Sequence, residues 1–444
     1  MDIATLMPQF GGALWTLAAF VIALSVIVFV HEYGHYIVGR WTGIRSEVFS
    51  IGFGPVLFSR TDRHGTRWQV AALPFGGYVK FLGDASAASD KASDTYEALD
   101  EETKRHTMHG APLWARAATV AAGPVFNFVL SILVFAIVMS WQGIPKEPVE
   151  VGVLKPTPAT AGTLEPGDRI LAVDGSETPN YESFYTAIRE MPLSATVSYR
   201  IERSGEPQTV DGPYPFPPLV ESLQPGSAAM DVGLERGDVI TAIDGTPVTA
   251  FRELQDVVAK SDGRPLAVDV WRDGETHEFV LAPRRVDLPV DGGFETRWLI
   301  GMTGGLIFEP ATRTPGPFEA VSSGVRQVIF IIESSLSGLW HMITGAISSC
   351  NLSGPIGIAE TSGAAASQGV ESFIWFIAVL STAVGMLNLF PIPVLDGGHL
   401  VFHAFEALTG RPPSDRALRV LMGMGLAAML ALMAFALTND LFCP

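Results

Sequence analysis

The stretch His31-Glu32-Tyr33-Gly34-His35 closes a run that has no charged side chain from Ile3 to Val30. On a helix, residues four apart share one face, so both imidazoles can reach one metal ion. Glu32, between them in sequence, can then serve as general base on the nucleophilic water. The chemistry implied is metal-assisted hydrolysis in or beside a bilayer, because ionisable groups at membrane depth are costly and default to function. An open catalytic zinc site needs a third protein ligand. Asp396 supplies one in the run NLFPIPVLDGG at 388–398. Pro391 and Pro393 cannot extend a helix, and Gly397 and Gly398 release the chain afterwards. A carboxylate in such irregular backbone is tolerated at membrane depth only where protein or a polar cavity covers it. His399 and His403 repeat the four-residue spacing without a glutamate between them. They read as helix-surface residues or as hydrogen-bond partners of the ligands, not as a second metal pair.

These residues need membrane helices to carry them. The chain has 444 residues, of which 48% are hydrophobic and 17% charged, with two cysteines and a net charge of −17. Its mean hydropathy is +0.30. The charged share is low for a soluble domain, and the acidic balance excludes a nucleic-acid partner. Cys350 and Cys443 suggest neither a disulfide framework nor a cysteine metal site. Four segments have the length of spanning helices, at about 13–38, 117–141, 373–390 and 420–437. The start of the chain lacks the basic residues of a cleaved signal peptide, so the first span is expected to be retained.

Basic residues set the orientation. Residues 40–116 hold ten Lys and Arg, whereas residues 1–39 hold none. Arg411, Arg416 and Arg419 lie between the third and fourth spans. Both termini are then outside, and 40–116 and 391–419 are cytoplasmic. Asp396 shares the cytoplasmic side with His31 and His35. Residues 317–350 are apolar but interrupted by Glu333, Gly338 and Gly345. They are expected to form an amphipathic helical pair on the membrane surface.

Two further regions are legible. Residues 47–82 read as strands, with Gly52-Phe53-Gly54 and Gly76-Gly77 within them and a turn at Asp62-Arg63-His64-Gly65. An edge strand there could pair with an unwound substrate, whose scissile carbonyl a helix would shield. Residues 84–104 read as a loop of low order. Beyond the second span, PGDRILAVDGSETPNYESFYTAI at 166–188 aligns without a gap to RGDVITAIDGTPVTAFRELQDVV at 236–258. Each copy reads as strand, Gly-containing turn and helix, with later turns at Ser204-Gly205 and Asp273-Gly274. The copies look like tandem PDZ domains at 146–213 and 218–286. Such domains bind extended peptides by strand addition, or here act as a steric filter against bulky substrates.

HEYGH, NLFPIPVLDGG and Ala122-Gly123-Pro124-Val125-Phe126-Asn127 together resemble the site-2 protease family. Within it, the chain is similar to the bacterial RseP-type intramembrane zinc metalloproteases over nearly its whole length. The resemblance implies zinc held by His31, His35 and Asp396, with Glu32 activating water. It implies substrate binding by Asn388 in the N-x-x-P-x-P run, with Pro391 and Pro393, and by Gly52 and Gly54 on the strands. It also implies single-pass membrane substrates, namely an anti-sigma factor already cut once and remnant signal peptides. The expected fold is a polytopic α-helical membrane protein of the bacterial inner membrane. The first transmembrane helix (1–39) is followed by a membrane-dipping β-hairpin and loop (40–116) and a second transmembrane helix (117–145). Two periplasmic PDZ domains come next, then a linker with membrane-surface helices (287–371) and the last two transmembrane helices (372–444). A rival reading is a peptide-binding membrane scaffold with a vestigial metal site. Another is a membrane-embedded zincin of the HtpX kind that takes a later glutamate as third ligand.

Overall fold

The computed structural model describes residues 13–84, 99–158, 164–224, 226–290 and 293–443. Residues 1–12, and most of the loop of low order expected at 84–104, lie outside the described residues. The chain forms two compact units. One comprises 1–138, 317–340 and 349–444, and the other 139–316 and 341–348.

The first unit is helical. Its longer helices are α1 (Ala13–Trp41), α2 (Leu113–Gln142), α3 (Pro317–Ile343), α4 (Pro355–Ser367), α5 (Val370–Asn388), α6 (Asp396–Thr409) and α7 (Asp415–Phe442). Among the described residues four helices, α1, α2, α5 and α7, are long and apolar enough to cross a membrane. Their outward faces keep Leu14, Ile22, Leu133, Ile137, Met424 and Leu430 exposed, as lipid-facing helices do. With apolar surroundings on both sides, small residues and buried hydroxyls must hold such helices together. Ser131 Oγ donates to Ala378 O (2.8 Å) and Ser381 Oγ to Asn127 O (3.0 Å), joining α2 to α5. Ala23 and Ile27 of α1 pack against Ile377 of α5.

The two apolar stretches expected as a helical pair are one helix, α3. Glu333 and Gly338 interrupt the hydrophobic pattern but not the backbone, since one interior Gly costs only about 1 kcal/mol of helix. On α3, Gly324 approaches the carbonyl of Ile132 and Val328 packs with Phe135 of α2. Beyond it, Cys350 and Cys443 are disulfide-bonded, against the sequence expectation. They are 93 residues apart, so only the fold brings their Cα atoms to 5.6 Å. The preceding residues of α7 secure the same junction. Asp440 accepts from Gly354 N (2.7 Å) and Ile356 N (3.0 Å), capping α4 from another helix, and Asn439 donates to Ser349 O (2.7 Å).

Between α1 and α2 lie β1 (Ser46–Thr61) and β2 (Arg67–Phe81). Both strands bend, so their halves pair separately. Residues 48–51 pair with 77–80 on one side and with 67–70 on the other, while 58–61 pair with 67–70. Residues 77–80 therefore form an edge. At the far end Phe53, Val56, Leu57, Phe58 and Leu73 are exposed.

The second unit holds the repeats. Strands Arg169–Val173, Thr196–Arg203 and Glu206–Pro213 with helix Tyr181–Glu190 form the first. Strands Val239–Ile243, Leu266–Arg272 and Glu275–Leu281 with helix Phe251–Ala259 form the second, in the same sheet order. Asp174-Gly175, Asp244-Gly245, Ser204-Gly205 and Asp273-Gly274 all have positive φ at both positions, the geometry of type I′ turns. A short strand precedes each copy, Val151–Leu154 or Val220–Leu223. The chain returns after both repeats to pair with them: Phe308–Pro310 with the first and Met302–Gly304 with the second.

Candidate active site

Helix α1 carries His31 and His35 on one face, near its C-terminal end. Helix α6 begins at Asp396, after the proline-bent loop that leaves α5. Gly397 lets this loop close tightly, since a Cβ there would stand 2.2 Å from Phe390 O. The two segments meet. His31 Nε2 and His35 Nε2 are 3.2 Å apart, and Asp396 Oδ2 lies 3.1 Å from the first and 3.5 Å from the second. Asp396 Oδ2 is buried and accepts no hydrogen bond among the described residues. Burial works against its charge, yet the imidazoles beside it hold the carboxyl well below the usual carboxylate range. Three lone-pair atoms thus converge on one point. Two imidazoles and one carboxylate are the donor set of open catalytic zinc sites, and the fit needs no rearrangement of the backbone.

Helix α2 makes this approach possible. A Cβ on Gly123 would fall 2.4 Å from His35 Nε2, and a Cβ on Gly34 would fall 2.5 Å from Ala122 O. No larger side chain fits between α1 and α2 at the metal group. The same helix orients the imidazoles. His35 Nδ1 lies 2.8 Å from the Thr119 carbonyl, which fixes it as the protonated nitrogen and leaves Nε2 free to ligate. Asn127, fully buried, stands beside His31 Nδ1.

A cavity of about 420 Å³ opens at these groups. Its walls include Glu32, Asn388 and the edge-strand residues Gly77, Tyr78 and Val79. Asn388 donates to Val384 O (3.0 Å), which keeps its amide at the end of α5. Of the residues that sequence motifs suggested for substrate, Asn388 lines this cavity, whereas Gly52, Gly54, Pro391 and Pro393 do not. Gly52 (φ 86°) and Gly54 (φ 83°) lie where β1 bends toward the exposed apolar tip. Pro393 packs against Gly425 of α7. Sequence reasoning missed Thr119, whose carbonyl accepts from His35 Nδ1, and it missed Arg116, whose guanidinium meets Glu406 at 2.5 Å beside the cavity. His403 lies against that pair. Burial, then Arg116, push its pKa down to about 4, so it is neutral near pH 7. His399 and His403 line the wall and do not join the metal group.

Comparison with known proteins agrees with this geometry. Residues 19–432 match the profile of peptidase family M50. A protein of Agrobacterium fabrum, assigned by name to the zinc metalloproteases, is 36% identical over 445 residues, covering 98% of each chain. The regulator of sigma-E protease RseP of Salmonella typhimurium is 35% identical over 458 residues, covering 96% of this chain and 98% of its own. A further relative of the same name class, from Rhizobium meliloti, is 36% identical over 429 residues and 96% of each chain. With matches of that extent and a His-His-Asp group in place, the chain belongs to peptidase family M50, the site-2 proteases, and is a membrane-spanning zinc metalloprotease.

Proposed function

We propose that His31, His35 and Asp396 hold the zinc, and that Glu32 is the general base of an intramembrane endopeptidase acting on single-span membrane proteins. The observation that carries this reading is the meeting of the HExxH imidazoles with the LDG carboxylate, 3.1 and 3.5 Å apart. Bound zinc supplies Lewis-acid chemistry, acidifying water and polarising the carbonyl. Glu32 sits in the cavity wall beside the edge strand. It takes the proton from the attacking water and returns it to the leaving nitrogen, as a carboxylate so placed can do in turn. Substrate lies as an extended strand beside residues 77–80, an edge of the sheet that can take a further strand by strand addition. Asn388 holds its backbone near the metal, and Gly52, Gly54, Pro391 and Pro393 shape the bent segments on either side.

The substrates are an anti-sigma factor already trimmed outside, together with remnant signal peptides. The name of the Salmonella relative, a regulator of sigma-E protease, supports the first. Both termini and the repeat unit face the periplasm of the inner membrane, and the metal group lies toward the cytoplasm. The disulfide between Cys350 and Cys443 supports this orientation, because such bonds persist in oxidising compartments. The repeats are PDZ domains that filter or capture substrate, and α3 lies at the periplasmic surface of the inner membrane. Glu32→Gln tests the reading in the full-length protein, with a single-span model substrate. The variant keeps one zinc while cleavage falls by about 10²–10⁴-fold. Cleavage at the wild-type rate would refute the role of Glu32.

A further inference from the structure

The two imidazoles of the metal group are not equally supported. Each must present an unprotonated Nε2 to a shared cation, so each must carry its proton on Nδ1. His35 has an acceptor for that proton in the Thr119 carbonyl, at 2.8 Å. His31 Nδ1 instead faces Asn127 Nδ2, at 3.2 Å. That contact suits the metal-free tautomer only, because in the metal-bound one a donor would face a donor. Asn127 is 0% exposed, and its Oδ1 is buried with no hydrogen-bond partner among the described residues. Amide oxygen and nitrogen are interchangeable by a half-turn of the side chain. The half-turn brings Oδ1 to His31 Nδ1–H, and the amide nitrogen takes the buried place of the oxygen.

The backbone leaves this side chain little other use. Asn127 sits one helical turn beyond Gly123, which packs directly on both imidazoles. Its own carbonyl accepts from the Ser381 hydroxyl (3.0 Å), which helps to lock α2 against α5 at this level. The amide is thus held beside His31 by helix packing that does not involve the amide itself. An unpaired buried amide is costly, so its retention at membrane depth needs a compensating partner.

We infer that Asn127 is a positioning residue for zinc: its side-chain oxygen accepts the Nδ1 proton of His31, fixing the tautomer and ring angle at which Nε2 ligates. The inference rests on the zinc reading above. It is tested by zinc affinity, measured by chelator competition on the purified full-length protein in detergent, with cobalt absorption bands reporting the ligand geometry. Asn127→Leu fills the space and removes the acceptor, and should weaken zinc binding by about 10–100-fold. Asn127→Asp keeps an acceptor at the same place and should recover most of that loss. Ser381→Ala loosens the same α2–α5 junction without touching His31, and should bind zinc as the wild type does. If the Leu variant does not fold, Asn127→Ala makes the same comparison with Asn127→Asp. Wild-type zinc affinity in Asn127→Leu or Asn127→Ala would overturn the inference. So would equal losses in the Ser381→Ala and Asn127→Asp variants, which would mark a packing role. A wild-type protein that binds no zinc would overturn the metal reading itself.

Discussion

The repeats and the metal group both bury polar side chains, but they do so in opposite ways. In the repeats each device occurs twice. Asp168, 1% exposed, accepts from Arg203 Nε at 2.7 Å, and Asp238, also 1% exposed, accepts from Arg272 Nε at 2.6 Å. Each aspartate also accepts a backbone N–H three residues earlier, from Glu165 or Glu235 at 2.8 Å. Every oxygen is satisfied, so these charges hold a fold together. At the metal group each contact occurs once, and two buried oxygens, Asp396 Oδ2 and Asn127 Oδ1, have no hydrogen-bond partner among the described residues. A satisfied buried charge that recurs with a sequence repeat marks architecture. An unsatisfied one that converges with others marks a ligand-binding site.

That contrast can be broken at several points. The largest effect falls on Gly123→Ala. Its Cβ has no room beside His35, so the imidazole must move, and a shift of roughly 1 Å costs about 100-fold in cleavage rate. A steady-state assay on a single-span substrate checks this, and an unchanged rate would mean that the helices part without cost. Next comes the Cys350→Ser, Cys443→Ser pair. Opening a crosslink between residues 93 apart should lower the stability of the helical unit by about 2–4 kcal/mol and leave zinc affinity unchanged. Denaturant titration reads the first quantity and chelator competition the second. Smaller again are Asp168→Asn and Asp238→Asn. Each should lower the unfolding temperature by a few degrees, by similar amounts in the two copies, with cleavage unaffected. Unequal losses would show that one copy has acquired a task that the other lacks. The smallest is Ser381→Ala, which removes the α5 hydroxyl from the Asn127 carbonyl and should cost about 1 kcal/mol in a melting experiment.

How much of this was legible in the sequence follows from the range of each interaction. HExxH is local: helix geometry alone puts its imidazoles on one face, and the charge-free run before it marks the span. The repeat was legible because the two copies share Asp-Gly turns, whose positive φ few other residues tolerate. The agreement of His31 with Asp396 was reachable through orientation, since basic residues place both on one side of the bilayer. The remaining features rest on distant pairings. No local pattern links Cys350 to Cys443, or the strand Phe308–Pro310 to Val151–Leu154. Gly52 and Gly54 drew attention as unusual residues in a strand. The bends they permit turn β1 toward its apolar tip, and it is Gly77 on the other strand that reaches the cavity. Helix α3 ran through its interruptions because packing of Gly324 and Val328 on α2 outweighs the modest cost of Gly338.

The most direct measurement is zinc stoichiometry and affinity in Asp396→Ala beside the wild type. One zinc per wild-type chain, lost or greatly weakened in the variant while its helices remain folded, is the predicted result. A variant that binds one zinc as tightly as the wild type would contradict the account, because the carboxylate that follows the α5 loop would then take no part in holding the metal.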